Sequence, residues 1–153
     1  MRPKIVLELF AGRGLLKKLL DPLLPPGVEY IATDSAAREH SAIGTKVQKM
    51  TYSQALGKYL EQTSVLIIAF GIIQALERIF KYIGKNGKVL ILWMYNHQYR
   101  IIKNMATNHG VKMRTLSKDT LCYLDYIDKD YKGDKLVATF TPPNSIVVVC
   151  YKS

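Results

Sequence analysis

The sequence predicts an α/β chain: a doubly wound, mostly parallel sheet with an antiparallel hairpin at its C-terminal edge. Three observations predict it. Uninterrupted apolar strands alternate with helical stretches over the first two thirds of the chain, the signature of a parallel sheet covered on both faces. A turn rich in glycine joins the first strand to the first helix. The last 44 residues then switch to strand-like segments separated by short turns, which pair antiparallel.

Taken in order, Lys4 to Phe10 reads as a buried strand and Leu15 to Leu20 as a short helix, stopped by Asp21-Pro22 and Pro25-Pro26-Gly27. Val28 to Thr33 is a second strand, Ser35 opens a weak helical turn through Arg38, and Thr45 to Lys49 is a short third strand. Ser53 is the expected cap of a helix to about Glu61. Ser64 to Phe70 is a strong apolar strand. Ile72, Ala75, Leu76, Ile79, Phe80 and Ile83 then recur at helical spacing. Gly84, Asn86 and Gly87 are expected to turn the chain into a fifth strand, Lys88 to Trp93, and Gln98 to Asn108 is a helix ending near Gly110. Val111 to Leu116, Leu121 to Ile127, Leu136 to Phe140 and Ile146 to Tyr151 are the strands of the closing region.

With 153 residues, the chain is expected to be one domain, 1–153, large enough for a real core. Its longest apolar runs fall far short of the roughly 20 residues of a membrane span. No secretory leader is legible at the start, so an intracellular, cytoplasmic protein is expected. Cys122 and Cys150 read as two reduced core thiols, and no Cys or His stands at metal spacing. The net charge of +10 favours a polyanionic partner, RNA before DNA, bound through a basic surface. The excess is spread evenly. Residues 1–61 carry 9 basic and 6 acidic groups, 62–99 carry 4 and 1, and 100–153 carry 9 and 5. A single basic face and a general solubility coat both fit this distribution.

The chemistry is concentrated in Glu8-Leu9-Phe10-Ala11-Gly12-Arg13-Gly14. Gly12 and Gly14 let backbone approach a ligand that a Cβ would block, and the helix start behind them offers free N–H groups. Ligands of open parallel sheets bind at the carboxyl ends of the strands, where this turn lies. A dinucleotide fingerprint requires a third glycine, and position 17 is Lys. Glu8 is a carboxylate in an apolar strand and needs a partner. A cationic ligand group, Lys4, Lys49 or a loop N–H would each serve.

These residues resemble the first motif of the class I S-adenosylmethionine-dependent methyltransferases, E/D-x-G-x-G-x-G, in the variant with Phe at the first glycine. The second strand ends in Asp34, 20 residues after Gly14, where that family holds the ribose hydroxyls. The order of strand, helix, glycine turn and strand from Ser64 to Trp93, with the closing hairpin, is also similar. The resemblance covers nearly the whole chain. It implies a Rossmann-like fold and S-adenosyl-L-methionine as cofactor, contacted by Glu8, Phe10, Ala11, Gly12, Gly14, Asp34, Ser35, Met50 and Phe70. It implies no metal.

The acceptor side departs from the family's patterns. The residues after the third strand lack the acidic group that often holds the adenine amino group, leaving Gln48 or Met50 to substitute. Ala69-Phe70-Gly71 is not the Asn/Asp-Pro-Pro-Tyr/Phe signature, and neither a Pro-Cys pair nor a Lys-Asp-Lys-Glu tetrad is present. Tyr95, Asn96 and His97 leave the fifth strand on the ligand edge and are the acceptor-side candidates, with His97 as a base; a surface turn capped by Asn96 is the competing reading. Arg13, Lys17, Lys18, Arg100 and Lys103 are candidates for phosphate contact, against an ordinary solvated helix face. The resemblance implies a methyltransferase acting on RNA or DNA, with a partner subunit supplying target recognition. The alternatives are a catalytically silent domain serving as an RNA- or protein-binding scaffold, and a nucleotide-binding Rossmann protein.

Overall fold

The computed structural model describes residues 4–24, 26–36, 45–116 and 144–152. The expected strands Leu121 to Ile127 and Leu136 to Phe140, together with Cys122 and the turn at Ala37-Arg38, lie outside them. The chain divides into two compact units, Met1–Ile68 and Ala69–Ser153.

The first unit holds four parallel strands. Strand β1 (Lys4–Leu9) lies between β2 (Val28–Asp34) and β4 (Thr63–Ala69), and β3 (Val47–Lys49) adds to the outer side of β2. From Ile5 to Leu9 every residue of β1 is buried. Each such Leu, Ile or Val contributes roughly 1.5–3 kcal/mol on leaving water. Helix α1 (Leu15–Leu20) has only six residues and runs into a 3-10 turn at Asp21–Leu23, where Pro22 withholds its amide. Helix α2 (Tyr52–Tyr59) is capped by Thr51, two residues earlier than the expected Ser53 cap. Thr51 Oγ1 accepts from the Gln54 N–H at 3.2 Å, and Gln54 Oε1 accepts from the Thr51 N–H at 2.9 Å. The reciprocal pair satisfies two amides at once, which a lone serine cannot.

The second unit begins with α3 (Ile73–Asn86), whose buried stripe is Ala75, Leu76, Ile79, Phe80 and Ile83. The helix does not turn at Gly84 as the sequence predicts. It continues to Asn86 and ends where Gly87, at φ 66°, donates its N–H to the Ile83 carbonyl. Gly84 serves a different purpose: a Cβ there would lie 2.3 Å from the His109 carbonyl oxygen. Strand β5 (Val89–Tyr95) is followed by a 3-10 turn at Asn96–Gln98 and α4 (Tyr99–Asn108). Strands β6 (Val111–Leu116) and β7 (Ser145–Lys152) are antiparallel, and β7 also pairs antiparallel with β5, Leu90 opposite Cys150 and Tyr95 opposite Ser145. Trp93, Val148 and Val149 are fully buried. Cys150 is a free, buried thiol whose pKa is pushed up by burial. The fold is thus the expected Rossmann-like α/β arrangement, mostly parallel with an antiparallel C-terminal edge.

Candidate functional site

In the first unit, the turn after β1 is built from residues in the left-handed region. Phe10 has φ 57°, Gly12 φ 58° and Gly14 φ 80°. For a phenylalanine this conformation costs of order 1–3 kcal/mol and persists only where surrounding contacts impose it. The Ala11 N–H donates to the Thr33 carbonyl at 2.9 Å, and the Gly14 N–H donates to the Ala11 carbonyl at 3.0 Å. The two glycines have different duties. A Cβ on Gly14 would meet Val47 Cγ2 at 2.8 Å, so the position is sterically closed, whereas a Cβ on Gly12 would meet nothing within 4 Å. Gly12 therefore borders open space at the turn's outer side, where a ligand can approach backbone.

Asp34 ties this turn to the end of β2. Its Oδ2 accepts from the Gly12 N–H at 2.8 Å and its Oδ1 from the Ala36 N–H at 2.8 Å. The carboxylate remains partly exposed, as does neighbouring Ser35. A carboxylate has about four acceptor positions, so two remain for hydroxyl donors. The Met50 N–H donates to the Asp34 carbonyl at 3.1 Å, which brings the start of the β3–α2 connection to the same strand end. Phe10 stands beside Tyr52, ring centroids 5.7 Å apart. Gln48 Oε1 accepts from Tyr59 Oη at 2.7 Å, which leaves one lone pair for a further donor.

Glu8 is 2% exposed. Its hydrogen bond is not to Lys4 or Lys49, two partners the sequence offers, but to Tyr30: Tyr30 Oη donates to Oε1 at 2.7 Å. Burial pushes the Glu8 carboxyl up to about 8. The Tyr30 hydroxyl and Lys17 pull the other way, and Asp34 repels the charged form. The register sets Val6 opposite Tyr30 and Glu8 opposite Ala32, so Tyr30 reaches across from the preceding level of β2. Tyr30 is the residue sequence reasoning missed. The only signal was a polar-tipped aromatic two residues from the level of Glu8, and using it requires the register. Lys17 is also placed differently from expectation. Its Nζ donates to Asp21 Oδ2 at 2.6 Å and to the Tyr30 carbonyl at 2.8 Å, and it lies over the Tyr30 ring. It closes the base of α1 rather than facing a phosphate, while Arg13 and Lys18 stay exposed.

The second unit contributes a separate aromatic group. Phe70, at φ 60°, follows β4 just as Phe10 follows β1, and its N–H donates to the Trp93 carbonyl at 3.0 Å. Its ring lies 4.7 Å from that of Tyr95, and Tyr95 stacks on His97 at 5.8 Å with 10° between planes. Tyr95 is 44% exposed. The turn Asn96–Gln98 is not capped by the Asn96 side chain. Gln98 Oε1 accepts from the Tyr95 N–H at 3.3 Å, and the Asn96 N–H donates to the Asn144 carbonyl. Tyr95 and His97 are thus brought together, and Asn96 is held by backbone.

No family model matches the chain, and no curated protein sequence matches it. Solved structures do. An antibiotic-resistance methyltransferase, Kmr, superposes with a TM-score of 0.54 at 11% identity over 98% of this chain and 87% of its own. A methyltransferase from Pyrococcus furiosus gives 0.54 at 8% identity over 100% and 78%. A precorrin-6y C5,15-methyltransferase from Geobacter metallireducens gives 0.51 at 13% over 99% and 83%. Likeness at this identity establishes the fold: it is that of the class I methyltransferases.

Proposed function

We propose that this chain, with its class I methyltransferase fold, is an S-adenosylmethionine-dependent methyltransferase, working as one domain, whose acceptor is RNA or, second, DNA. The observation that carries the donor assignment is the Asp34–Gly12 hydrogen bond at 2.8 Å. It makes the glycine turn and the carboxylate at the end of β2 one rigid piece, open on the side of Gly12. In this reading Ala11, Gly12 and Gly14 present backbone to the donor. Asp34 and Ser35 accept from its ribose hydroxyls, Phe10 and Met50 line the adenine, and Glu8 offers a carboxylate to its ammonium group.

The donor supplies an electrophilic methyl group on a sulfonium. When bound, the donor would offer that methyl to an acceptor lone pair, leaving as a neutral thioether. Alignment carries much of such a rate. Tyr95 and His97 offer a flat aromatic ledge for a planar acceptor, with Asn96 beside it, and His97 can take the acceptor's proton. The nucleic-acid acceptor rests on the net charge of +10. No helix among the described residues is long and apolar enough to cross a membrane. Recognition of a particular site is left to a partner subunit.

A second reading is a donor-binding but silent scaffold for RNA or protein. It is favoured by the absence of a dedicated motif at Ala69-Phe70-Gly71. Calorimetry with S-adenosylmethionine, S-adenosylhomocysteine and NAD in parallel, followed by labelled methyl transfer to total RNA, separates the readings. Binding of the first two with transfer supports the enzyme. Binding without transfer to RNA, DNA or protein supports the scaffold. A response to NAD alone sinks the donor assignment.

A further inference from the structure

Over the full sequence the second unit carries 13 Lys and Arg against 6 Asp and Glu, and the first carries 9 against 6. The described residues of the second unit carry nine Lys and Arg against one acid, Glu77. Even that carboxylate faces His109 Nε2 at 3.7 Å. In the first unit the described residues carry seven against five. On α4, Arg100 and Lys103 are exposed, and Lys103 Nζ lies over the Tyr99 ring, 5.7 Å from its centroid. Lys103 also borders a groove of about 390 Å³, lined with it by Thr107, Gly110, Lys112, Met113 and Tyr151.

The register locates this groove within the unit. Met113 pairs with Cys150, and Cys150 with Leu90, so the groove is level with the start of β5. Tyr95, at the other end of β5, pairs with Ser145. Five residues of strand separate the two levels, about 16 Å at 3.3 Å each. Lys103 therefore belongs to a feature apart from the candidate acceptor ledge.

We infer that Arg100 and the Lys103–Lys112 groove form a track for a single-stranded polynucleotide. Exposed Arg100, Lys103 and Lys112 beside this groove draw a polyanion. Lysines interleaved with Tyr99 and Tyr151 suit a strand whose bases are free to stack. The inference rests on the proposed function only for the class of acceptor. It gives that strand an attachment apart from the Tyr95–His97 ledge.

The test is fluorescence anisotropy of the full chain with a twelve-nucleotide RNA, the matching DNA, a duplex RNA and vesicles containing phosphatidylserine, across a salt series. Lys103→Gln/Lys112→Gln is compared with Lys4→Gln/Lys58→Gln, which removes the same charge from exposed sites of the first unit. The groove pair is expected to flatten the slope of log affinity on log salt by about 1.4, two contacts at roughly 0.7 each. The control is expected to change it by less than half as much. Both variants should keep the wild-type affinity for S-adenosylhomocysteine. Equal losses in both variants, tighter binding of duplex than of single strand, binding to vesicles alone, or no oligonucleotide binding at low salt would each overturn the inference. A chain that binds oligonucleotide through the groove but no S-adenosylhomocysteine would overturn the donor reading and leave the track standing.

Discussion

Tyr30 Oη donates to Glu8 Oε1 at 2.7 Å, and the Lys17 ammonium lies on the Tyr30 ring and carbonyl, so two adjacent strands and the first helix meet at one buried carboxyl. Burial raises that carboxyl from 4.5 to about 8. Between these values the folded chain holds a proton that the unfolded chain has lost. Stability from this group is therefore complete below pH 4.5 and declines as pH rises to about 8. Glu8→Gln is expected to remove this decline. Denaturant midpoints from pH 4 to 9 read it out, and an unchanged slope in the variant would assign the pH dependence elsewhere. If Glu8 meets the donor's ammonium, wild-type donor affinity also rises over this interval, and that of Glu8→Gln stays flat.

Asp34→Ala removes the acceptor for the Gly12 and Ala36 amides as well as the proposed ribose contact. The donor is expected to bind more weakly by about 1.5–3 kcal/mol, the range for hydrogen bonds to a charged group. The fold should lose only about 1 kcal/mol, as for loss of an exposed cap. Isothermal titration with S-adenosylhomocysteine and a thermal melt measure both. Full affinity in a folded variant would make Asp34 a turn cap alone.

Gly12→Ala and Gly14→Ala separate ligand access from folding. At Gly14, the left-handed φ costs about 1–2 kcal/mol, and a methyl 2.8 Å from Val47 adds overpacking of about 1–3 kcal/mol. At Gly12 only the first cost applies, because the methyl enters open space. Gly12→Ala should therefore fold and lose donor binding, while Gly14→Ala should melt markedly lower. A Gly12→Ala chain with wild-type donor affinity would remove the turn from the donor site.

Tyr95→Ala removes the ring between Phe70 and His97. Each aromatic contact is worth about 0.5–1.5 kcal/mol, so the fold should survive. Methyl transfer is expected to fall with S-adenosylhomocysteine affinity unchanged, which a merely structural role would not produce. His97→Gln should lower transfer if His97 is the base, and wild-type transfer in the variant would release it from that role.

The sequence by itself determined the features that depend on local chemistry. Apolar runs marked β1, β4 and β5, because a strand buried on both faces needs no polar alternation. Gly12 and Gly14 marked a turn, because only glycine enters the left-handed region without penalty. The spacing from Gly14 to Asp34 set both at strand ends that a parallel register makes adjacent. The helix start at Thr51 was also written locally, in Thr51 and Gln54, though Ser53 competes as a cap when the reciprocal pair is overlooked.

What depended on distant neighbours was decided only by the tertiary structure. Gly84 reads as a turn residue until the His109 carbonyl is found where its Cβ would stand. Glu8 has three plausible local partners in the sequence and is held instead by Tyr30, whose approach follows from the β1–β2 register. Lys17 reads as a surface cation until Asp21 and the Tyr30 carbonyl bind it together. In each case the deciding energy is a contact across many residues, set by strand register and helix packing, and linear spacing does not encode it.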